Sequence, residues 1–481
     1  MKLALKSQIG RRFIVAVCAT VGLVGASQAA PPLHARNVIL FIGDGMGVST
    51  LTAARIYQGQ QKGIDGASNT LSFERFPNLA LVRTYSADNL VTDSANGASA
   101  MLTGVRTING ALGVDDRVKR DDCASAGASR VETLAEIAKA QGLATGAVST
   151  AAITDATPAS LYAHTGARSW QGDFQMPKEA LAGGCIDIAR QLTDAPETVR
   201  LDLALGGGQA FFTSFERLDG RDLAREWAKR PNAAFVDTAA ALANLPETTT
   251  HVLGLFAANN MVRETDRTNQ AADAPRLAEM TQAAIRILSR NPKGYFLMVE
   301  GGLIDKAHHV GLAHEALNET LEFDAAVAQA LAMTDPKDTL IIVTADHSHG
   351  LTISGGARNS PILGLVPDAD GKPKLATDGK PYAILNYATG PGAPGTDETR
   401  FDPSTVDTLD PAYRAQATIP LPSAAHTGED VAAYAQGPGA QRIHGLIDQP
   451  AIFEVIRLAL GLPAPKRPDA AKPRPPSPLA P

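Results

Sequence analysis

The residues with chemistry in them are the acids that close hydrophobic runs. Asp44 follows Val38-Ile39-Leu40-Phe41-Ile42-Gly43, Glu300 closes Phe296-Leu297-Met298-Val299, and Asp346 closes Leu340-Ile341-Ile342-Val343-Thr344-Ala345. Asp155 comes soon after Ala147-Val148-Ser149-Thr150. Each alone is an ordinary turn residue. In an open parallel sheet, however, ligands bind outside the carboxyl ends of the strands. Four acids there converge on one edge, where like charges raise one another's pKa unless cations separate them. Histidines accompany them. Asp305 and His309 are four residues apart and share a helical face, with His308 competing on spacing alone. Asp346-His347-Ser348-His349 places ligand types side by side, and His426 arrives from far down the chain. Nitrogen and oxygen donors suit zinc and hard oxygens suit magnesium, so the set predicts a metal site.

One serine stands beside this chemistry. In Asn89–Met101, Ser94 follows Asp93 and precedes a run of small residues. Small side chains allow a tight turn and a helix starting at Ser94, with free N–H groups and the positive dipole end aimed at an anion. The same pattern suits a Thr/Asp/Ser helix cap. Ser94 is therefore either cap or nucleophile, and the local stretch leaves both open.

The elements that must hold these residues follow from periodicity. Continuous apolar runs at 37–42, 79–85, 144–149, 203–205, 251–256, 295–299 and 340–344 predict strands. Helical patterns fall at 49–60, 94–103, 131–141, 275–289, 313–333 and 449–460. The alternation predicts an α/β fold with a large, mostly parallel central sheet and helices on both faces. Residues 352–423, rich in Gly, Pro, Asp and Thr with a β-like piece at 382–387, break the rhythm as a small irregular insertion. Residues 463–481 are proline-rich, with little to bury, and predict a disordered tail.

At 481 residues, 44% hydrophobic and 20% charged, the chain is an ordinary globular protein. A net charge of −6 and the lack of a basic stripe argue against nucleic-acid binding. Residues 1–29 carry Lys2, Lys6, Arg11 and Arg12, then an apolar run and a small-residue cleavage site, which is the pattern of an export signal. The run is too short to span a membrane comfortably, and Arg11-Arg12 leaves the general and twin-arginine routes open. Residues 30–462 would form the mature domain, without a stable membrane anchor. Its two cysteines, Cys123 and Cys185, either pair in an oxidising compartment or remain as free buried thiols.

Taken in order, Gly43-Asp44-Gly45-Met46-Gly47, Val91-Thr92-Asp93-Ser94-Ala95, Asp155-Ala156-Thr157-Pro158 with His164 and Arg168, Val299-Glu300-Gly301-Gly302-Leu303-Ile304-Asp305-Lys306-Ala307-His308-His309, Thr344-Ala345-Asp346-His347-Ser348-His349 and His426-Thr427-Gly428 resemble the metal-dependent alkaline phosphatases from residue 37 to about 460. The resemblance implies hydrolysis of small phosphate monoesters, with Ser94 as nucleophile through a phosphoserine. It implies one zinc on Asp44, Asp346 and His347, a second on Asp305, His309 and His426, and a magnesium on Asp44, Thr157 and Glu300. Arg168 would grip phosphate oxygens, Asp155 and Lys306 would touch phosphate or magnesium through water, and His349 would orient a ligand carboxylate. Cys123 and Cys185 fall where some relatives have a disulfide, 352–423 takes the place of a crown-like insertion, and a periplasmic or extracellular homodimer is implied. Asn96 and Ser99 depart from the family, which usually has a smaller residue and a threonine there. Ser94-Ala95-Asn96-Gly97-Ala98 lacks the Pro and Arg of a sulfatase. A phosphodiesterase on the same metals, or an exported metal- or phosphate-binding protein without turnover, are the competing expectations.

Overall fold

The computed structural model describes residues 34–270, 273–395 and 398–466. The expected export signal and residues 467–481 of the proline-rich tail lie outside them. The described residues form thirteen strands: β1 Asn37–Gly43, β2 Asn78–Arg83, β3 Ala144–Ala152, β4 Leu203–Gly207, β5 Ala233–Val236, β6 His251–Leu255, β7 Tyr295–Gly301, β8 Thr339–Ala345, β9 Leu351–Ile353, β10 Leu385–Gly390, β11 Ala417–Pro420, β12 Val431–Gln436 and β13 Gly445–Asp448. Ten build one sheet in the order β13-β2-β12-β8-β1-β7-β3-β4-β6-β5. Every neighbouring pair is parallel except those of β12, which runs antiparallel to β8 and β2.

The register explains why the acids meet. Gly43 of β1 lies level with Gly301 of β7 and Ala345 of β8, and Ser149 of β3 is level with Glu300. The residues that follow therefore leave four adjacent strands at one height. β1, β3 and β8 are buried over essentially their whole lengths, because helices cover both faces and unbroken apolar runs are what such strands require. Strands β5, β12 and β13 were not anticipated: β5 and β12 are rich in alanine, and β13 is only Gly-Leu-Ile-Asp, so their apolar signal is weak. The insertion contributes β9, β10 and β11 as a separate three-stranded sheet. Its β10 begins three residues after the start of the predicted 382–387 piece.

Helices Leu277–Leu288 and Ala313–Met333 pack on each other against this sheet. Phe323 meets Phe41 of β1 edge to face, with ring centroids 5.8 Å apart. The longer helix also buries Glu319, with Glu315 one turn before it. Burial, opposed by the Glu264 N–H donating to Oε1 (2.8 Å) but reinforced by Glu315, holds the Glu319 carboxyl well above its usual range. An unfolded glutamate titrates near 4.3. The folded state thus binds the extra proton, and its stability falls as pH rises above that value. Glu319→Gln keeps the acceptor and removes the titration. Its melting temperature should exceed the parent's by roughly 2–4 °C at about pH 9, with the gap closing toward about pH 5. A gap independent of pH would show that the carboxyl carries no such burden.

Of the two states left open for the cysteines, the structure forms the disulfide: Cys123 and Cys185 are joined, with Cα atoms 5.8 Å apart across a separation of 62 residues. The bridge lies beside Ala167, Trp170 and Met176. A loop of that length limits the unfolded chain by about 4 kcal/mol in the chain-entropy account. Removing both cysteines as Cys123→Ala, Cys185→Ala should lower stability by about 2–4 kcal/mol, read from the denaturant midpoint.

Candidate active site

Ser94 opens the helix Ser94–Thr103, but it is not the cap. Asp93 holds that position in extended geometry, and its Oδ1 accepts the Asn96 N–H at 3.1 Å. The Ser94 hydroxyl is thereby free of the backbone. Its Oγ lies 3.3 Å from both Asp44 Oδ1 and His347 Nε2. Small residues are required behind it: a Cβ on Gly97 would stand 3.0 Å from the Asp346 carbonyl oxygen. Gly45, with φ +69°, turns the chain so that its N–H reaches Asp346 Oδ1 at 3.1 Å.

Two donor clusters stand beside Ser94. In one, His347 Nε2 is 3.4 Å from Asp44 Oδ1 and 3.4 Å from Asp346 Oδ2. In the other, Asp305 Oδ2 is 3.3 Å from His309 Nε2, while Asp305 Oδ1 is 3.3 Å from His426 Nε2 and 2.9 Å from His349 Nε2. His309 Nε2 and His426 Nε2 are themselves 3.3 Å apart. A tetrahedral ion with bonds of about 2.0–2.1 Å needs donors about 3.3 Å apart, so this spacing suits zinc. Asp305 also lies within 4.8 Å of Asp44 and His347, linking the clusters. His309 and His426 turn their Nδ1 atoms to the backbone, to Ala424 O at 2.7 Å and Thr92 O at 3.1 Å, which leaves Nε2 facing inward. His308 points elsewhere, between Thr50 Oγ1 (3.1 Å) and the Tyr387 hydroxyl (2.7 Å), and does not face the Asp305 cluster as His309 does.

The electrostatics are those of an anionic pocket. Burial, with Asp305 and Asp346 nearby, pushes the Asp44 carboxyl well above its usual range. Burial raises Asp346 to about 6 and Glu300 to about 8. Asp305 goes the other way: Lys306 and hydrogen bonds from His309, His349 and His426 outweigh its burial. Burial holds His347 neutral, with its lone pair available. Asp346 Oδ2 and Thr157 Oγ1 are buried without a hydrogen-bond partner. Orphaned oxygens among crowded buried acids are what a cation would satisfy. Glu300 accepts a hydrogen bond from Ser149 Oγ.

Arg168 is held by Asp93 Oδ2 (3.0 Å) and Asp155 Oδ1 (3.2 Å). Lys306 Nζ bridges Asp155 Oδ2 and Asp305 Oδ2, each at 3.2 Å. These two cations outweigh burial and hold Asp155 well below the usual range. Asp93 was missed as a site residue. It caps the Ser94 helix with one oxygen and anchors Arg168 with the other. Its adjacency to Ser94 at a helix start was the available signal.

The alkaline phosphatase family profile matches residues 35–462. The chain belongs to the alkaline phosphatase family. It is 42% identical over 437 residues to the tissue-nonspecific alkaline phosphatase of Gallus gallus, covering 86% of this chain and 82% of that one. It is 39% identical over 436 residues to the alkaline phosphatase of Gadus morhua, covering 86% and 89%. Among solved structures, the alkaline phosphatase of Thermus thermophilus superposes with a TM-score of 0.65 at 26% identity, covering 93% of this chain and 96% of that one. A variant of the TAB5 alkaline phosphatase with Mg bound in its M3 site gives 0.63 at 26% identity, covering 90% and 99%. The ten-stranded sheet is thus the alkaline phosphatase α/β fold, and the donor clusters at its edge suit an enzyme of a metal-dependent family.

Proposed function

We propose that this enzyme hydrolyses small phosphate monoesters through a phosphoserine on Ser94. The observation that carries the reading is the uncapped Ser94 Oγ, 3.3 Å from Asp44 and His347 and beside the Asp305–His309–His426 cluster. Asp44, Asp346 and His347 would hold one zinc, Asp305, His309 and His426 a second, and Asp44, Thr157 and Glu300 a magnesium. When bound, these ions would lower the pKa of the attacking hydroxyl and water and neutralise the leaving oxygen.

The remaining work belongs to the chain. Arg168, oriented by Asp93 and Asp155, presents its planar fork to two phosphate oxygens. Ser94 Oγ bonds to phosphorus as the ester P–O bond breaks and the alcohol departs. Water then cleaves the phosphoserine, releasing inorganic phosphate and restoring the hydroxyl. The positive end of the Ser94 helix would favour the same anion. His349, at 2.9 Å from Asp305 Oδ1, fixes that carboxylate. Lys306 and Asp155 would reach phosphate or magnesium through water.

The deciding measurement compares a phosphate monoester with a diester on purified protein, before and after metal stripping and with zinc and magnesium restored. Monoester turnover that vanishes with the metals and returns with them is expected. A strong diester preference would assign the site to a phosphodiesterase, and metal binding without turnover would make it a binding protein. The disulfide fits an oxidising compartment, and among the described residues no helix is long and apolar enough to cross a membrane. With the signal pattern at 1–29, the disulfide makes export to the periplasm or medium part of the proposal; a homodimer is part of it by likeness to the family alone.

A further inference from the structure

Asn96 is fully buried in the first turn of the nucleophile helix. Both ends of its side chain are used. The Thr107 N–H donates to Oδ1 at 2.8 Å, which fixes the amide's orientation, because a backbone N–H can only donate. Nδ2 must then face Thr92 Oγ1, also 2.8 Å away. The Thr92 hydroxyl accepts there and donates its own proton to the Asp93 carbonyl at 2.9 Å. Thr92 is the residue whose own carbonyl accepts from His426 Nδ1 at 3.1 Å. A second asparagine closes the same seam: Asn109 Oδ1 accepts the Asp93 N–H at 3.2 Å, and its Nδ2 donates to Val91 O at 3.0 Å. The loop before Ser94 is therefore zipped to the return after the helix by two side-chain amides, at the point where a histidine of the second donor cluster is oriented.

We propose that Asn96 is a positioning residue for His426: by tying Thr92 to the helix with an amide that Thr107 holds from the other side, it fixes the carbonyl that holds the His426 ring with Nε2 turned inward. A ring held in one orientation loses less freedom when it takes up an ion, and removing such outer partners weakens metal affinity about 10–100-fold. The inference rests on the two-zinc reading above.

The test is a zinc titration of the metal-stripped full chain against a competing chromophoric chelator, which resolves the two equivalents without any turnover. Asn96→Ala should weaken one equivalent about tenfold and leave the other unmoved. Thr92→Val, which removes only the hydroxyl link and keeps the shape, should give the same loss and covers the case that Asn96→Ala does not fold. The double variant should be no worse than either single one, as expected of residues acting through one chain. Zinc affinities unchanged beside a lowered melting temperature would reduce Asn96 to packing and overturn the proposal. So would equal weakening of both equivalents, or losses that simply add. A parent protein that takes up no zinc refutes the two-zinc reading itself, and the inference with it.

Discussion

Ser94→Ala should lower phosphate monoester turnover by about 10³-fold or more while leaving the fold and zinc uptake in place. The separation of the two effects is the informative part. A serine that capped its helix would cost about 1 kcal/mol when truncated, and a fall in activity would be confounded by a looser helix. Here Asp93 is the cap, and Ser94 is the first residue inside the helix, where alanine has the higher helical propensity. Its Oγ touches only Asp44 and His347, both at 3.3 Å. Steady-state rates, the melting temperature and the zinc content of one preparation measure all three consequences. Asp93→Ala should behave differently, because it removes the cap and one of the two anchors of Arg168 together. It loses stability as well as rate. Undiminished turnover in Ser94→Ala would end the phosphoserine mechanism, whatever the metals do.

The parts of this architecture legible in the sequence are those where one residue type does one thing. Buried strands β1, β7 and β8 are unbroken apolar runs, so their ends, and with them Asp44, Glu300 and Asp346, could be placed before any coordinates. Asp305 and His309 were paired by helical spacing, and the structure puts them 3.3 Å apart. What spacing could not decide was anything set by a partner distant in the chain. His308 and His309 are equivalent as letters; Thr50 and Tyr387 claim the first and Ala424 the neighbour's Nδ1. Asp93 and Ser94 were interchangeable as caps until the backbone gave the position to Asp93. Strand β12, the only antiparallel member of the sheet, is Val-Ala-Ala-Tyr-Ala-Gln. Its place between β8 and β2 is set by pairing with strands distant in the chain, with Val431, Ala433 and Ala435 buried in the core and Tyr434 against Phe73. Asn96 was opaque for the same reason: its partners Thr92 and Thr107 are recognisable only after the helix has folded the loop onto the return.

Stripping the metals should abolish turnover completely and also loosen one end of the sheet, with zinc and magnesium together restoring both. The second effect follows from what the cations would leave behind. Asp44, Glu300, Asp305 and Asp346 are each no more than 2% exposed, and they stand at the ends of the adjacent strands β8, β1 and β7 and in the helix that follows β7. Arg168 is engaged by Asp93 and Asp155, and Lys306 is shared by Asp155 and Asp305, so neither cation pairs with Asp44, Glu300 or Asp346. Without ions Asp44, Glu300 and Asp346 must either take up protons or repel one another and Asp305, and each course costs folding free energy. Ions present at about a thousand times their dissociation constant contribute about 4 kcal/mol each by mass action. The loss should be local before it is global. Amide exchange should accelerate first at 43–47, 300–309 and 346–349, while Val38–Phe41 and Leu340–Val343, buried under helices on both faces, stay protected. Magnesium alone should not restore turnover, because the clusters around His347 and around His309 and His426 offer imidazole nitrogens, which a hard cation does not favour. Uniform loss of protection along the strands would instead mean that the ions hold the whole sheet together, and unchanged exchange would mean that the acids at its edge need no cation at all.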